Sequence, residues 1–400
     1  MLIRAIDEPV WAKTGGIGAS SLKRLTALGI VLLALNLRIA VGEIPPVLRD
    51  LPLNDIGRSL LVTIPVICFS LAAFAGPPIV ARLGEERGLL IMCGALCAGL
   101  ALRPWWPVAS MFVGTVVCGL AVAVMNVMLP SFLRRRFPDH MGEMTAAYTM
   151  ALSIGAGLAA GLTVPLVMAF DGSIALALAV WAVVAAIAFV VWLPQLRQPR
   201  PGERSKGSDI GMLRDLQAWQ ITVYFGLQSA LFYTLLSWLP TIYRDHGMSP
   251  SAAGGVLAVT STVGIVGNFA APLLANRFGR PRLAVMVAGG LTMVGLFGIL
   301  LLPTTLPLVW AVLVGIGTAG TFSVTLLLMG SRAKDAVIAA RLSSMAQGVG
   351  YMISAIGPLL AGLLHSVSGG WTIPLIVTIG VGVVMMTMGL GASRQGVVTR

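Results

Sequence analysis

Residues 43–50 read EIPPVLRD and residues 238–245 read WLPTIYRD. A shift of 195 positions lays one over the other, matching Pro45 with Pro240, Arg49 with Arg244 and Asp50 with Asp245. The same shift lays ARLG (81–84) over NRFG (276–279). One register that serves two separated motifs implies an internal duplication. Between the copies runs the longest polar stretch of the chain, QLRQPRPGERSKGSDIGMLRDL, from Gln195 to Leu216. Six apolar runs precede it, near 23–47, 58–80, 88–106, 108–132, 143–168 and 173–193. Six follow, near 217–241, 251–275, 282–302, 305–329, 337–364 and 371–392.

Runs of this length match the roughly 20 residues an α-helix needs to cross a bilayer. The whole composition agrees: 57% of residues are hydrophobic, only 10% are charged, and the mean hydropathy is +0.92. A closed β-barrel is the other way to satisfy backbone groups in lipid, and continuous apolar runs exclude it. The expected fold is therefore all-α and membrane-embedded, with twelve transmembrane helices in two pseudo-symmetric six-helix bundles. The expected organisation is a cytoplasmic N-terminal segment (1–22), a first bundle (23–194), a cytoplasmic linker (195–216), a second bundle (217–392) and a cytoplasmic tail (393–400). Duplicated six-helix halves with a site between them near the midplane are the architecture of many secondary transporters.

The net charge of +12 does not indicate nucleic-acid binding, because the basic residues are distributed between apolar runs. With the N terminus in the cytoplasm, 22 of the 27 Lys and Arg fall in cytoplasmic segments, as the positive-inside rule requires. Both termini are expected inside, with no secretory leader in the first 22 residues. Cys68, Cys93, Cys97 and Cys118 lie within apolar runs and read as small buried side chains. His140, His246 and His365 lack ligand-like spacing, so no metal and no cofactor are expected. No nucleophile, base or metal constellation supports an enzyme.

The turns GPPIVARLGEERG (76–88) and APLLANRFGRPR (271–282) resemble the cytoplasmic loop motif of the major facilitator superfamily. Gly84 and Gly279 suit its tight turn, and Arg82 and Arg277 remain as donors for helix carbonyls. Ala81 and Asn276 stand where that motif carries Asp. The resemblance implies that the first, fourth, seventh and tenth helices line a central cavity.

The polar residues on those helices become the candidate site. Arg38 lies about 22 Å along the first helix from Lys23, slightly beyond the midplane. A cation there costs at least about 2.5–3.5 kcal/mol, so it turns toward a cavity or a partner. The other eleven runs contain no deep acidic residue, which makes Arg38 a candidate anion contact; structural bonding to helix carbonyls is the alternative. Glu43 is about 140° away on a regular helix. It reads as a solvated outer-end carboxylate or as a gating or proton-coupling group. Asn36 shares the face of Glu43 and suits either a ligand or an interhelical bond. Arg103, beside Trp105 and Trp106, reads as a cation snorkelling at the outer surface.

The repeat places Tyr233 opposite Arg38 and Thr321 opposite Asn126. Thr318, Thr321 and Thr325 form a hydroxyl stripe that suits either a cavity wall or backbone back-bonding. Gln228 lies near the middle of the seventh helix with Tyr224 one turn below, and Gln347 is similarly deep in the eleventh. Ser153, Gly157 and Gly161 repeat at the four-residue spacing that allows close helix packing.

Taken together, ALNLR (34–38), LPSFLRRRF (129–137), YFGLQSALFYTLLSWLPTIYRDHG (224–247) and MAQGVGYMISAIGPLLAGLL (345–364) resemble the cyanate and 2-nitroimidazole transporter family. This resemblance spans both halves. Asn36 and Arg38 match the family's Asn-x-Arg, whereas Ile39 replaces its usual Pro and Glu43 its usual small residue. It implies a small, often anionic or weakly polar substrate. The expectation is a monomeric bacterial inner-membrane transporter working by alternating access, with a small anion as cargo and a proton as possible coupling ion. Arg38 would attract the anion, and Asn126, Gln228, Tyr233 and Thr321 would orient it. An exporter of neutral aromatic compounds, using Trp238 and Phe232 for stacking, is the competing expectation.

Overall fold

A computed structural model describes residues 19–105, 108–137, 140–197, 214–277, 279–334, 336–394 and 398. Most of the expected N-terminal segment and most of the linker lie outside these residues. Twelve α-helices form: α1 (Ala19–Gly42), α2 (Asp55–Leu83), α3 (Glu85–Leu102), α4 (Val108–Arg136), α5 (Met141–Ala169), α6 (Ile174–Trp192), α7 (Leu216–Asp245), α8 (Pro250–Arg277), α9 (Pro281–Leu301), α10 (Pro307–Ser331), α11 (Ala336–Ser368) and α12 (Thr372–Ala392). Among the described residues, ten helical segments are long and apolar enough to span a membrane. The other two helices have physical reasons to differ. α3 opens on Glu85, Glu86 and Arg87, while α7 is buried on nearly every side and carries Gln228, Ser229, Thr234 and Ser237.

The duplication is visible in the packing. In the first half α2 and α3 pack on α4, α1 on α5, and α3 on α6; in the second, α8 and α9 pack on α10, α7 on α11, and α9 on α12. Each pair in one list becomes its counterpart when six is added to the helix number. The halves meet through α2 with α11 and α5 with α8, which obey the same exchange. Small residues permit the α5–α8 approach: a Cβ at Gly157 would strike Thr262 Oγ1, and one at Gly161 would press on Ala258 at 3.2 Å. Gly157 and Gly161 of the α5 stripe are therefore a packing face between halves, whereas Ser153 borders the cavity. The loop-motif turns also form as expected, with Gly84 and Gly279 at φ of +74° and +58°, the left-handed region that glycine tolerates best. Arg135 on α4 holds Glu85 and Glu86, both at 2.9 Å, and so ties the first turn of α3 to α4. The side chain of Arg82 lies outside the described residues, and Arg277 is exposed in the last turn of α8.

The run expected over 23–47 divides. α1 ends at Gly42, and Pro45–Asp50 forms a buried 3-10 helix, because consecutive prolines lack the N–H groups an α-helix needs and restrict the residue before them. That short helix packs against α5, α7 and α8, and it carries half of a reciprocal clasp. Arg49 Nη1 lies 2.7 Å from Asp245 Oδ1, and Arg244 binds both carboxylate oxygens of Asp50 at 2.7 Å. Trp371 Nε1 also donates to Asp245 at 2.8 Å. The duplicated Arg-Asp dipeptides thus join the two halves at this end of the bundle.

Two expectations are corrected here. Glu43 is not a solvated carboxylate and Arg103 does not snorkel. They are 0% and 1% exposed and pair at 2.5 Å, with Arg103 also donating to Ala40 O at 2.8 Å and Thr115 Oγ1 at 3.1 Å. Depth counted along a straight helix placed Glu43 at the surface, but its carboxylate turns inward to Arg103, which is itself bonded to α1 and α4. Removing one partner of a buried pair leaves an uncompensated charge, so this contact fastens α1, α3 and α4 together.

Candidate functional site

Arg38 lies four residues before the end of α1, on a face turned away from the core of the first half. It is half-buried and borders a cavity lined by residues of α1, α5, α7, α8, α10 and α11. Its Nη1 donates to the Tyr233 hydroxyl at 3.1 Å, and its guanidinium sits 5.3 Å from the centre of the Phe232 ring. Arg38 and Tyr233 are 195 residues apart, the length of the repeat. The positions matched by the repeat therefore meet where the halves face one another. Among the described residues Arg38 forms no ion pair.

The surroundings of that cation are aromatic. Phe232 meets Tyr233 edge-on at 5.1 Å, Phe69 lies 5.8 Å from Tyr233 and 5.3 Å from Tyr351, and Phe225 meets Tyr351 edge-on at 5.1 Å. Rings that present their faces favour a cation, which helps α1 hold the guanidinium without a carboxylate. Farther along α7, Gln228 is 1% exposed; its Nε2 donates to Ser229 Oγ at 2.6 Å, and its Oε1 has no partner. Both residues border the same cavity. The opposite wall comes from α8 and α10, where Ser323 donates to Asn268 Oδ1 at 2.8 Å and Thr318 faces the space.

Of the residues singled out from the sequence, Arg38, Tyr233 and Gln228 come together. Asn126 stands apart from the cavity wall, accepting from the Tyr148 hydroxyl at 3.3 Å between α4 and α5. Thr321 is 1% exposed and bonds back to Thr318 O at 2.8 Å, the local pattern of helix hydroxyls. Asn36 donates to Leu32 O at 2.8 Å and reaches Val184 O on α6 at 3.4 Å, so it binds helices within the first half. Gln347 bonds Ser343 on its own helix at 2.8 Å. Tyr224 packs against Gly389 of α12. Trp238 donates to Pro358 O at 2.8 Å and packs on Trp371. Glu43 is buried away from this space with Arg103.

Sequence reasoning missed the α8 wall and Tyr351. It drew the cavity from four helices, yet α8 carries Thr260, Ser261 and Asn268 within an apolar run, a signal of the kind that singled out α10. Tyr351 lies one turn after Gln347, in a stretch read only for its amide.

A family model described as Major Facilitator Superfamily matches residues 26–355. An uncharacterised transporter of Bacillus subtilis is 33% identical over 92% of this chain and 93% of its own length. The 2-nitroimidazole transporter of Escherichia coli is 31% identical over 92% and 95%, and the cyanate transport protein of the same organism is 29% identical over 86% and 91%. A crystal structure of a bacterial homologue of the human lysosomal transporter Spinster superposes with a TM-score of 0.75, covering 95% of this chain and 98% of that one at 16% identity. That last likeness concerns the fold.

Proposed function

Since the chain belongs to the major facilitator superfamily, a family of multi-pass membrane transporters, we propose that it carries a small anion by alternating access, with Arg38 as the anion contact. The observation that carries this reading is a half-buried guanidinium that borders the cavity between the halves and is held by a phenol and a ring, with no ion pair among the described residues. A cation removed from water in this way gains from any anion that replaces its lost hydration. Tyr233 aims it, and Gln228 supplies a second polar contact on the same helix. Similarity to carriers named for cyanate and 2-nitroimidazole supports a small planar cargo. Similarity to bacterial carriers supports the inner membrane of a bacterium, and the distribution of basic residues supports both termini in the cytoplasm and the Arg-Asp clasp at the periplasmic end.

The test is thermal stabilisation of the purified protein by a panel of anions, since a ligand of the native state raises its stability by mass action. Anion-dependent stabilisation is expected in the parent and absent in Arg38→Ala, with Arg38→Lys between them. Equal stabilisation of parent and Arg38→Ala would refute the assignment.

A further inference from the structure

The two bridges of the clasp repeat the same residue types, but their surroundings differ. Asp50 is held by Arg244. Asp245 has more neighbours: its Oδ1 takes Arg49 of the first half at 2.7 Å, while its Oδ2 takes the Trp371 indole at 2.8 Å and lies 3.6 Å from Nε2 of His365. His365 sits in the last turn of α11 and stacks on Trp371, with ring centres 4.2 Å apart and planes inclined by 28°. Trp371 in turn packs on Trp238 at 5.4 Å. Asp245, His365, Trp371 and Trp238 all belong to the second half, so the histidine is fixed to the half that carries the carboxylate, and Arg49 approaches from the other. The shift of 195 that matches the Arg-Asp pairs lays His365 over Phe170 and Trp371 over Leu176. One bridge therefore has a titratable neighbour where the matching position of its twin has none.

We propose that His365 is a proton-binding site that unlatches the clasp: a proton taken up there sets an imidazolium in competition with Arg49 for the Asp245 carboxylate and favours parting of the halves at this end. His365 and Asp245 are 25% and 22% exposed, so a proton from solvent reaches the ring. Histidine ordinarily titrates between about pH 5 and 8, a range in which carboxylates and guanidiniums keep their charges. The sign follows from where the new charge appears. A cation on the second half satisfies Asp245 from within that half and repels Arg49 arriving from the first. Its charge is shared over both ring nitrogens, so the effect is the same whichever of them faces the carboxylate. An indole face is a favourable neighbour for such a cation. By linkage, parting the halves in turn strengthens proton binding. The other charges at this end are already engaged. The first turn of α2, which packs on α11, brings Asp55 and Arg58; these bond one another at 3.2 Å, and Arg58 also donates to Arg49 O at 3.0 Å. Arg244 and Asp50 are paired, and His246 has its Nδ1 2.7 Å from Ile242 O. The first turns of α10 and α12 carry no charged residue. The proton site lies apart from the cavity and does not depend on the anion reading; only the compartment it senses rests on assigning this end to the periplasm.

The experiment is a distance distribution between spin labels at Pro52→Cys and Ser249→Cys, in the full chain with its four native cysteines replaced, in lipid nanodiscs from about pH 8 to about pH 5. In the labelled parent the separated population is expected to grow about two- to fivefold on acidification, the effect of losing one exposed bridge. His365→Phe, which keeps a ring on Trp371 and takes the residue found at the matching position of the first half, is expected to hold the alkaline distribution throughout. His365→Gln is expected to do the same. Arg49→Ala is expected to be more separated than the parent at the alkaline end and to respond no further to acid, because nothing is left to displace. His246→Gln is expected to keep the parental response. An acid parent that is unchanged or more closed would overturn the proposal. So would a parental response that persists in either His365 variant, or one that is lost in His246→Gln. None of these outcomes involves Arg38, so the anion reading stands or falls separately.

Discussion

The reciprocal clasp between Arg49, Asp50, Arg244 and Asp245 lends itself to a quantitative test. Exposed ion pairs contribute about 0.2–1 kcal/mol each. Arg49–Asp245 belongs in the lower part of that range, with side chains 47% and 22% exposed and a single close contact at 2.7 Å. Arg244–Asp50 belongs at the top or slightly above it, because Arg244 is only 12% exposed and grips both oxygens, a geometry that strengthens such bonds. Together they contribute about 1–2 kcal/mol to holding the halves together at this end, a factor of roughly 5–30 in the equilibrium between joined and parted halves. The perturbation is Arg49→Ala with Arg244→Ala. The assay is a distance distribution between spin labels at Pro52→Cys and Ser249→Cys, in a chain whose four native cysteines have been replaced. The separated population is expected to rise by that factor in the double variant, and to rise in the parent at high salt, where exposed pairs are screened. Exchanging charges across one bridge, Arg49→Asp with Asp245→Arg, tests whether pairing rather than side-chain volume is responsible. Identical distributions for parent and double variant, at low and high salt alike, would refute the reasoning.

Two further outcomes follow from the packing. Glu43→Gln is expected to destabilise the protein by about 3–5 kcal/mol, because Arg103 is left buried without its partner, and the fall in melting temperature measures it. Loss of proton-driven uptake at unchanged stability would instead assign Glu43 to coupling. Gly267→Ala is expected to cost about 1–3 kcal/mol through overpacking, because the new Cβ would strike Ile316 O on α10. Gly255→Ala on the same helix, which meets no neighbour, is the control.

The architecture was largely legible because it is written in features that do not depend on how side chains turn. Apolar run length, the polar break near residue 200 and the Arg-Asp repeat all survive without rotational detail. The site was legible in part. Arg38 stands out because a deep cation is costly wherever it points, and its repeat mate Tyr233 follows by arithmetic. Asn36, Thr321 and Gln347 are equally deep, yet their N–H and O–H donors bond neighbouring backbone or their own helix, so depth alone does not sort ligand contacts from local bonds. Glu43 and Arg103 show another limit. They are 60 residues apart, just past the ends of different helices with no shared period, and nothing short of the packed bundle brings them together.

The meeting of Arg49–Asp50 with Arg244–Asp245 is self-complementary, as in an isologous contact between identical subunits. A dipeptide of opposite charges facing its own two-fold image makes two bridges from one written sequence, so perfect symmetry serves it well. At Arg38 symmetry does the opposite, because an identical copy would set guanidinium against guanidinium. The clasp therefore rewards keeping the two halves alike, while the cavity requires them to differ, and divergence between the halves is confined by where along the shared axis each contact lies.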